Sequence, residues 1–143
     1  MGKIICTHYG CGKTTYCKTH ENSIDLDAGW FEKKEGWDKI YIECAKALTK
    51  VYDYVFITSH TSTILLLDKM EDLEWYLVYP DISLKEEYRE RLENRREQDQ
   101  KWINEKIDFY EKQIEKYDKL IKNAKKIILQ SNEFISDIMD IIK

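Results

Sequence analysis

Residues 3–15, KIICTHYGCGKTT, decide the fold that the sequence predicts for this chain. The apolar run near the start of the stretch predicts a buried β-strand over residues 3–7. A short loop with two glycines follows, and a helix over residues 13–20 is predicted to begin at the Lys-Thr pair. A strand, a glycine loop and a helix that opens on Lys-Thr form the arrangement that holds the phosphates of a nucleoside triphosphate. We call residues 8–12 the glycine loop.

The loop departs from the usual pattern G-x-x-x-x-G-K-[ST] at one position, because Thr7 stands where that pattern has its first glycine. Gly10, Gly12, Lys13 and Thr14 all fit. In this arrangement backbone N–H groups face the anion, Lys13 reaches the β- and γ-phosphates, and the Thr14 hydroxyl holds Mg²⁺. The alternative is a chance Gly-Lys-Thr in a turn. The predicted nucleotide-binding residues are Tyr9, Gly10, Cys11, Gly12, Lys13, Thr14 and Thr15.

The composition of the 143 residues, with 43% hydrophobic and 35% charged residues, is typical of one soluble globular domain. No apolar run approaches the ~20 residues of a membrane span, so no membrane partner is expected. Polar residues begin at Thr7, which disfavours a signal peptide, and we therefore expect a cytoplasmic location. The net charge of −4 disfavours binding to duplex nucleic acid, although a local basic strip is compatible with it.

The four cysteines, Cys6, Cys11, Cys17 and Cys44, are not expected to form disulfides in a chain without a sign of secretion. The first three lie close to two histidines, which makes a zinc site an alternative. We disfavour it because no Cys-x-x-Cys pair is present and the cluster overlaps the glycine loop.

Strands and helices are predicted to alternate along the rest of the chain, which indicates a parallel sheet with right-handed crossovers. The predicted strands cover residues 23–27, 53–60, 74–80 and 126–129. The predicted helices cover residues 36–50 and 62–70, one or two long helices within 83–123, and a last helix over 133–142.

Two acids end the second predicted strand. In parallel sheets, ligands bind outside the carboxyl ends of the strands, so Asp25 and Asp27 are expected near the phosphates. We predict that Asp27 faces the acceptor as a catalytic residue and that Asp25 faces the metal. The alternative is a turn with solvated acids. The third strand ends in Thr58-Ser59-His60, without the acid found there in many triphosphate-binding folds, which raises the importance of the pair.

Four arginines lie within eight residues of the long helical region. Arg91 and Arg95 continue the apolar face that begins at residue 84, so we predict that they bind phosphates in the transition state, with Arg89 and Arg96 in reserve. The alternative is a solvated helix with Arg–Glu pairs. We expect residues 83–123 to form a helical lid or hairpin insertion in a single domain of residues 1–143.

Apolar residues recur at steps of four and three over residues 103–121, which predicts an a/d seam of about two and a half heptads. This seam either packs as a hairpin within the chain or meets the same seam of a second copy in a homodimer.

The motifs resemble those of the small P-loop kinases of the nucleoside and nucleotide kinase (adenylate kinase-like) superfamily, particularly short versions from bacteriophages. The resemblance rests on the loop of residues 10–15, on Asp25-Leu26-Asp27, on Val78-Tyr79-Pro80, and on Leu84-Lys85-Glu86-Glu87-Tyr88 with Lys101-Trp102-Ile103 beyond it. It implies a three-layer α/β fold of the P-loop NTPase type with a parallel sheet ordered 2-3-1-4-5. It also implies ATP, Mg²⁺ and an arginine lid, and a location in the host cytoplasm for a phage protein.

Three functions are compatible with these features. The first is an ATP-dependent phosphotransferase that moves a γ-phosphate to a nucleoside monophosphate or similar small acceptor, with a 5′-polynucleotide kinase as its close relative. The second is a nucleotide-binding interaction module with little catalysis. The third is a structural α/β domain whose loop binds only an anion.

Overall fold

The computed structural model describes residues 1–71, 73–95 and 99–142. Its centre is a five-stranded sheet in the order β2-β3-β1-β4-β5, in which every neighbouring pair is parallel. The predicted fold class and strand order are therefore confirmed. The strands are β1 (Lys3–Thr7), β2 (Ser23–Asp25), β3 (Tyr54–Ile57), β4 (Trp75–Pro80) and β5 (Lys125–Leu129).

Helices cover both sides of the sheet and connect its parallel strands. They are α1 (Lys13–Thr19), α2 (Trp37–Leu48), α3 (Thr61–Asp68), α4 (Lys85–Arg95), α5 (Gln100–Asp108), α6 (Tyr110–Leu120) and α7 (Ile135–Ile138). Short 3₁₀ helices span Ala28–Trp30, Ile82–Leu84 and Met139–Ile141. Within the described ranges, no helix has the length and apolar character needed to cross a bilayer.

Strand β1 is central because its apolar residues are buried on both faces. Ile4, Ile5 and Cys6 are fully buried, and the strand pairs with β3 on one side and with β4 on the other. A strand buried on both faces has a continuous apolar run rather than an alternating one, as the sequence has here. The glycine loop consequently leaves the sheet at the middle of its carboxyl edge.

Several predicted boundaries were wrong. Strand β2 ends at Asp25 because Asp27 instead caps the 3₁₀ helix Ala28–Trp30, with its Oδ1 accepting a hydrogen bond from Gly29 N at 2.7 Å. The last helix is shorter than predicted, since α7 covers four residues and a 3₁₀ turn follows.

Asp99 caps α5 by accepting from Trp102 N at 2.8 Å. Arg96, a reserve phosphate ligand, lies outside the described residues.

The predicted seam lies inside the chain. Its six side chains are each at most 3% exposed, and they pack in the same core as the sheet. The Tyr110 hydroxyl donates to Asp81 O at 2.8 Å, and Tyr117 contacts the glycine loop through His8. A homodimer through this seam is therefore wrong for these side chains, because their apolar surface is already covered. Helix α6 is part of the crossover from β4 to β5. The members of the seam are Ile103, Ile107, Tyr110, Ile114, Tyr117 and Ile121.

Candidate active site

A cleft of about 1420 Å³ opens at the carboxyl edge of the sheet, where parallel α/β folds bind their ligands. The glycine loop and the start of α1 form its centre. The ends of β2 and β3 lie to one side, and α4, α5 and the segment around Phe134 complete the walls. All the residues that the sequence analysis assigned to the nucleotide, metal or acceptor and that the structure describes line this cleft: Tyr9, Gly10, Cys11, Gly12, Lys13, Thr14, Thr15, Asp25, Asp27, Arg91 and Arg95.

The glycine loop has a backbone that only glycine adopts easily at two positions. Gly10 and Gly12 have φ of 81° and 90°, in the left-handed region where a Cβ is strained. An added Cβ would also lie 3.1 Å from the Tyr88 ring at Gly10 and 3.2 Å from the Phe134 ring at Gly12. Between them, Cys11 is buried, and burial raises the pKa of its thiol to about 12. Its thiol therefore stays protonated and is not a nucleophile.

Lys13, Thr14 and Asp25 form one cluster at the start of α1. The Lys13 ammonium lies 3.3 Å from Asp25 Oδ1, and the Thr14 hydroxyl donates to Asp25 Oδ2 at 3.0 Å. Apart from the ammonium, Asp25 Oδ1 has no hydrogen-bond partner among the residues that the structure describes. A hydroxyl and a carboxylate are hard oxygen ligands, and Mg²⁺ bound near a triphosphate typically takes one or two protein oxygens of this kind. The residues present therefore fit a magnesium ion.

Asp27 lies beyond this cluster on an exposed part of the cleft. Its Oδ1 is fixed by the Gly29 N–H at 2.7 Å. The turn thus orients the carboxylate without neutralising it, and no ion pair involves Asp27 among the residues that the structure describes. A carboxylate held in this way can accept a proton from a hydroxyl placed against it.

Arg91 makes several contacts within the protein at the edge of the cleft. Its guanidinium donates to Gly10 O at 3.0 Å, to Glu133 O at 2.8 Å and to the Tyr88 hydroxyl at 3.0 Å. It also pairs with Glu87 at 2.9 Å, and its side chain is only 10% exposed. The rings of Tyr88 and Phe134 lie 4.4 Å and 3.9 Å from its central carbon. Arg91 therefore joins α4 to the glycine loop and to the chain after β5.

The other arginines differ from Arg91 in their surroundings. Arg95 lines the same cleft one turn further along α4. Arg89, the described reserve candidate, pairs with Glu86 at 3.2 Å on the exposed side of the helix.

Residues 131–135 pack against the glycine loop and α4, a contact that the sequence analysis did not predict, and Phe134 of this segment forms part of the cleft wall. The Ile135 N–H donates to Cys11 O at 2.8 Å. Glu87 accepts from the Ser131 hydroxyl at 2.6 Å and from Asn132 N at 3.1 Å. The carbonyls of Gly10 and Cys11, two successive residues of the glycine loop, thus accept hydrogen bonds from outside the loop. This arrangement leaves the adjacent N–H groups to face an anion. The Ser131-Asn132 turn was the only local signal for this contact.

Helix α5 contributes a further wall that sequence reasoning missed. The Tyr9 hydroxyl donates to Lys106 O at 2.8 Å, and the Tyr9 ring packs edge-on against Trp102 at 5.9 Å. The Lys106 ammonium lies 5.6 Å from the Trp102 ring centre. Trp102 and Lys106 are four residues apart and so lie on one face of the helix. This spacing was the available signal, but the buried seam beside it dominated the pattern.

Polar atoms without partners lie on the floor of the cleft. Thr7 Oγ1, His8 Nε2 and Thr58 Oγ1 are buried and have no hydrogen-bond partner in the described part of the chain. The other ring nitrogen of His8, Nδ1, lies 2.9 Å from the Tyr117 hydroxyl. Burial, and then the charge of Lys106, lowers the pKa of His8 to about 3, so its imidazole is neutral. A polar ligand that reaches these unpaired groups can form hydrogen bonds with them, which makes its binding more favourable.

Comparison with known proteins gives similarity of structure but not of sequence. No family model matches the chain, and no curated protein matches it. A solved structure of shikimate kinase from Bacteroides thetaiotaomicron superposes with a TM-score of 0.52 over 91% of this chain and 86% of that chain. This chain has a P-loop kinase fold. The two sequences are 17% identical, so this similarity shows the fold alone.

Proposed function

We propose that the protein is an ATP-dependent phosphotransferase that moves the γ-phosphate to a nucleoside monophosphate or a similar small acceptor. The observation that carries this proposal is the cluster of Lys13, Thr14 and Asp25 beneath the glycine loop, with Asp27 beside it in one cleft. Phosphoryl transfer requires little covalent chemistry from the protein. Positioning and charge stabilisation supply most of the rate, and this cluster provides both.

The donor side of the cleft binds the triphosphate. N–H groups of the glycine loop hold the phosphates, and Lys13 moves from Asp25 to the β- and γ-phosphates. Thr14 and Asp25 would hold the Mg²⁺, which neutralises phosphate charge when bound. In this proposal, the contacts of Asp25 with Lys13 and Thr14 are those of the protein without a ligand.

Asp27 acts on the acceptor. Where the attacking group of the acceptor is a hydroxyl, the Asp27 carboxylate accepts its proton while the acceptor oxygen bonds to the γ-phosphorus and the bond from that phosphorus to the β–γ bridging oxygen breaks. The products are the phosphorylated acceptor and ADP, and Asp27 returns the proton to solvent. The Gly29 N–H keeps the carboxylate oriented throughout.

Arg91 and Arg95 supply positive charge to the phosphates in this proposal. Arg95 is the first candidate for direct contact, since it lines the cleft. Arg91 acts through Gly10 in the arrangement observed, and it reaches a phosphate only when its bonds to Gly10 O and Glu133 O open.

A coupled ATP-consumption assay tests this function. Nucleosides, nucleoside monophosphates and a 5′-hydroxyl oligonucleotide are compared as acceptors in the presence of Mg²⁺, with Lys13→Ala as the inactive variant and Lys39→Ala, on the exposed side of α2, as the matched control. Turnover on one acceptor class that is lost only in Lys13→Ala supports the proposal and identifies the class. Turnover on the oligonucleotide alone would favour the polynucleotide kinase.

Binding of ATP without turnover on any acceptor would instead favour the nucleotide-binding interaction module. That alternative relied on the seam of residues 103–121 as its contact surface. Because the seam is buried inside the chain, no observation favours the module at present.

A further inference from the structure

We propose that Thr58 and Thr7 form a neutral hydroxyl pair next to Asp27 and that this pair binds the two adjacent ribose hydroxyls of the acceptor. The inference rests on the proposed function, because it assigns a part of the same acceptor that does not react. It adds a specificity to that function, since ribonucleotides are then accepted in preference to their deoxy forms.

The ends of β2 and β3 bring Thr58 close to Asp27. The Tyr41 hydroxyl accepts a hydrogen bond from Thr58 N at 3.0 Å and donates one to Leu26 O at 2.6 Å. Leu26 directly precedes Asp27, and its N–H donates to Phe56 O of β3 at 2.9 Å. Thr58 therefore lies at the carboxyl edge of the sheet, beside the turn that holds Asp27, and both residues line the cleft.

Thr7 lies on the other side of Thr58. The register of β1 and β3 pairs Cys6 with Ile57, so Thr7 of β1 and Thr58, the residue after β3, are neighbours across the two strands. The Cys6 thiol also donates to Thr58 O at 3.5 Å. Neighbouring strands are about 4.8 Å apart. This spacing allows two adjacent hydroxyls of one ligand to reach one threonine each.

Both threonine hydroxyls lack a partner within the protein. Thr7 is 2% exposed, and the Oγ1 atoms of Thr7 and Thr58 are both buried without a hydrogen bond among residues 1–71, 73–95 and 99–142. The Tyr41 hydroxyl is a near neighbour of Thr58, but its proton is already donated to Leu26 O. Most buried polar groups are paired, and an unpaired one destabilises the folded chain. A ligand in the cleft would supply the missing hydrogen bonds.

The chemistry of the pair favours a neutral hydroxyl over an ion. A threonine hydroxyl both donates and accepts, and so does the hydroxyl of a ligand. The carboxylates of Asp25 and Asp27 line the same cleft and repel an anion. His8, whose Nε2 is also unpaired in the described chain, is neutral because burial lowers the pKa of its imidazole to about 3. In a nucleoside monophosphate, the ribose offers two adjacent hydroxyls of this kind.

A site that is built to bind a ligand hydroxyl rejects the analogue that lacks it, because the buried partner then stays unpaired. The 2′-deoxy form and the 3′-deoxy form of a ribonucleotide each lack one of the two hydroxyls. We expect each deoxy form to bind about 10- to 100-fold more weakly than the ribonucleotide.

The test compares these ligands while the glycine loop is occupied. The full chain is saturated with Mg²⁺ and the β,γ-imido analogue of ATP, which does not transfer its phosphate. The four common ribonucleoside monophosphates and their 2′-deoxy and 3′-deoxy forms are then titrated by calorimetry. At least one ribonucleotide is expected to bind and to show the preference over both of its deoxy forms.

Valine variants assign the preference to the two threonines. Thr58→Val and Thr7→Val keep the branched shape and remove the hydroxyl, so each is expected to abolish the preference over one of the two deoxy forms. Thr49→Val is the matched control. Thr49 is 4% exposed, its hydroxyl donates to Lys46 O at 2.5 Å, and it lies outside the cleft. Its substitution is expected to leave the ligand preference unchanged.

Urea unfolding separates a ligand contact from a structural role. The hydroxyls of Thr58 and Thr7 have no partner to lose, so Thr58→Val and Thr7→Val are expected to leave the free energy of unfolding unchanged or to raise it. Thr49→Val removes a hydrogen bond and is expected to lower it. A loss of stability in all three variants would give the hydroxyls a structural role and overturn the subsite.

Three binding results would also overturn it. They are the absence of binding by every ribonucleotide, equal affinity for the ribonucleotides and their deoxy forms, and an unchanged preference in both Thr58→Val and Thr7→Val. A shift in the Mg²⁺ dependence of Thr58→Val with an unchanged preference would assign that hydroxyl to the metal site instead. The proposed function is judged separately by the ATP-consumption assay, which detects turnover on any acceptor, whereas these titrations require no turnover.

Discussion

The proposed donor side and the proposed acceptor side of the cleft differ in how their charges are balanced. On the proposed donor side, Lys13 pairs with Asp25 at 3.3 Å and Arg91 pairs with Glu87 at 2.9 Å. On the proposed acceptor side, no ion pair of the described residues involves Asp27, whose Oδ1 accepts a hydrogen bond from the Gly29 N–H. The proposed donor side is therefore held in place by ion pairs within the protein, whereas the Asp27 carboxylate is held by a backbone turn.

The largest effect is expected for Asp27→Asn. The amide cannot accept the hydroxyl proton but keeps the hydrogen bond to Gly29 N, so kcat should fall by about 10²- to 10⁴-fold with little change in ATP affinity. Steady-state kinetics together with Mg²⁺–ADP binding would measure both. Asp25→Asn is the matched variant, and it should shift the Mg²⁺ dependence instead. An equal effect of both variants on Mg²⁺ dependence would contradict the division of roles between the two acids.

Lys13→Met should reduce kcat by about 10²- to 10³-fold. The reason is that it removes a fixed positive charge that stabilises the negative charge developing on the transferred phosphoryl group. The substitution also removes the ion pair with Asp25, which keeps its hydrogen bond from Thr14. The free energy of unfolding should therefore change much less than the rate. Activity and urea unfolding, compared with Lys39→Met, separate the two effects. If stability falls as far as activity does, the variant reports on folding and not on phosphate binding.

Arg91→Met should lower the free energy of unfolding by about 2–4 kcal/mol. The substitution leaves Glu87 without its partner and removes the donor to two backbone carbonyls in a part-buried site. Urea denaturation measures the change. Arg89→Met, which removes a more exposed arginine of the same helix, should change stability by less than about 1 kcal/mol. Equal effects of the two variants would show that the donor side does not depend on this internal pairing.

The smallest effect concerns the pH dependence of stability. An unfolded His8 titrates near its ordinary pKa of 6.5, but the folded imidazole has a pKa of about 3. Between these values the unfolded chain binds a proton that the folded chain does not, so stability is lost as the pH falls below about 6.5. The slope from this residue is at most ~1.4 kcal/mol per pH unit. His8→Gln should reduce the slope of the free energy of unfolding against pH.

Local patterns were sufficient to predict the sheet. The apolar runs of β1, β3 and β4 and the glycine loop each depend on neighbouring residues, and their alternation with helices indicated a parallel sheet. The strand order was implied only by the resemblance to P-loop kinases. The end of β2 was predicted wrongly at Asp27, because an aspartate that caps a 3₁₀ turn and one that ends a strand have the same sequence signature. The roles assigned to Lys13, Asp25, Asp27, Arg91 and Arg95 remain predictions that kinetics must test.

Contacts between distant residues could not be predicted in the same way. Arg91 and Gly10 are 81 residues apart, and Tyr9 and Lys106 are 97 apart. No periodicity within α4 distinguishes an arginine that binds a carbonyl from one that faces solvent. The same holds for residues 131–135, whose sequence predicts a turn and a helix start but not the loop against which they pack.

The hydrogen bond from Ile135 to Cys11 also sets an order of events during synthesis. The glycine loop is translated before α4 and the chain beyond β5, so its outward carbonyls gain their partners only after those segments have emerged. Strand β1 likewise waits for β3 and β4 before both of its edges are covered. The nascent chain therefore carries an incompletely covered Ile-Ile-Cys strand until β4 has emerged, and the glycine loop gains its last partners only after β5 has been made.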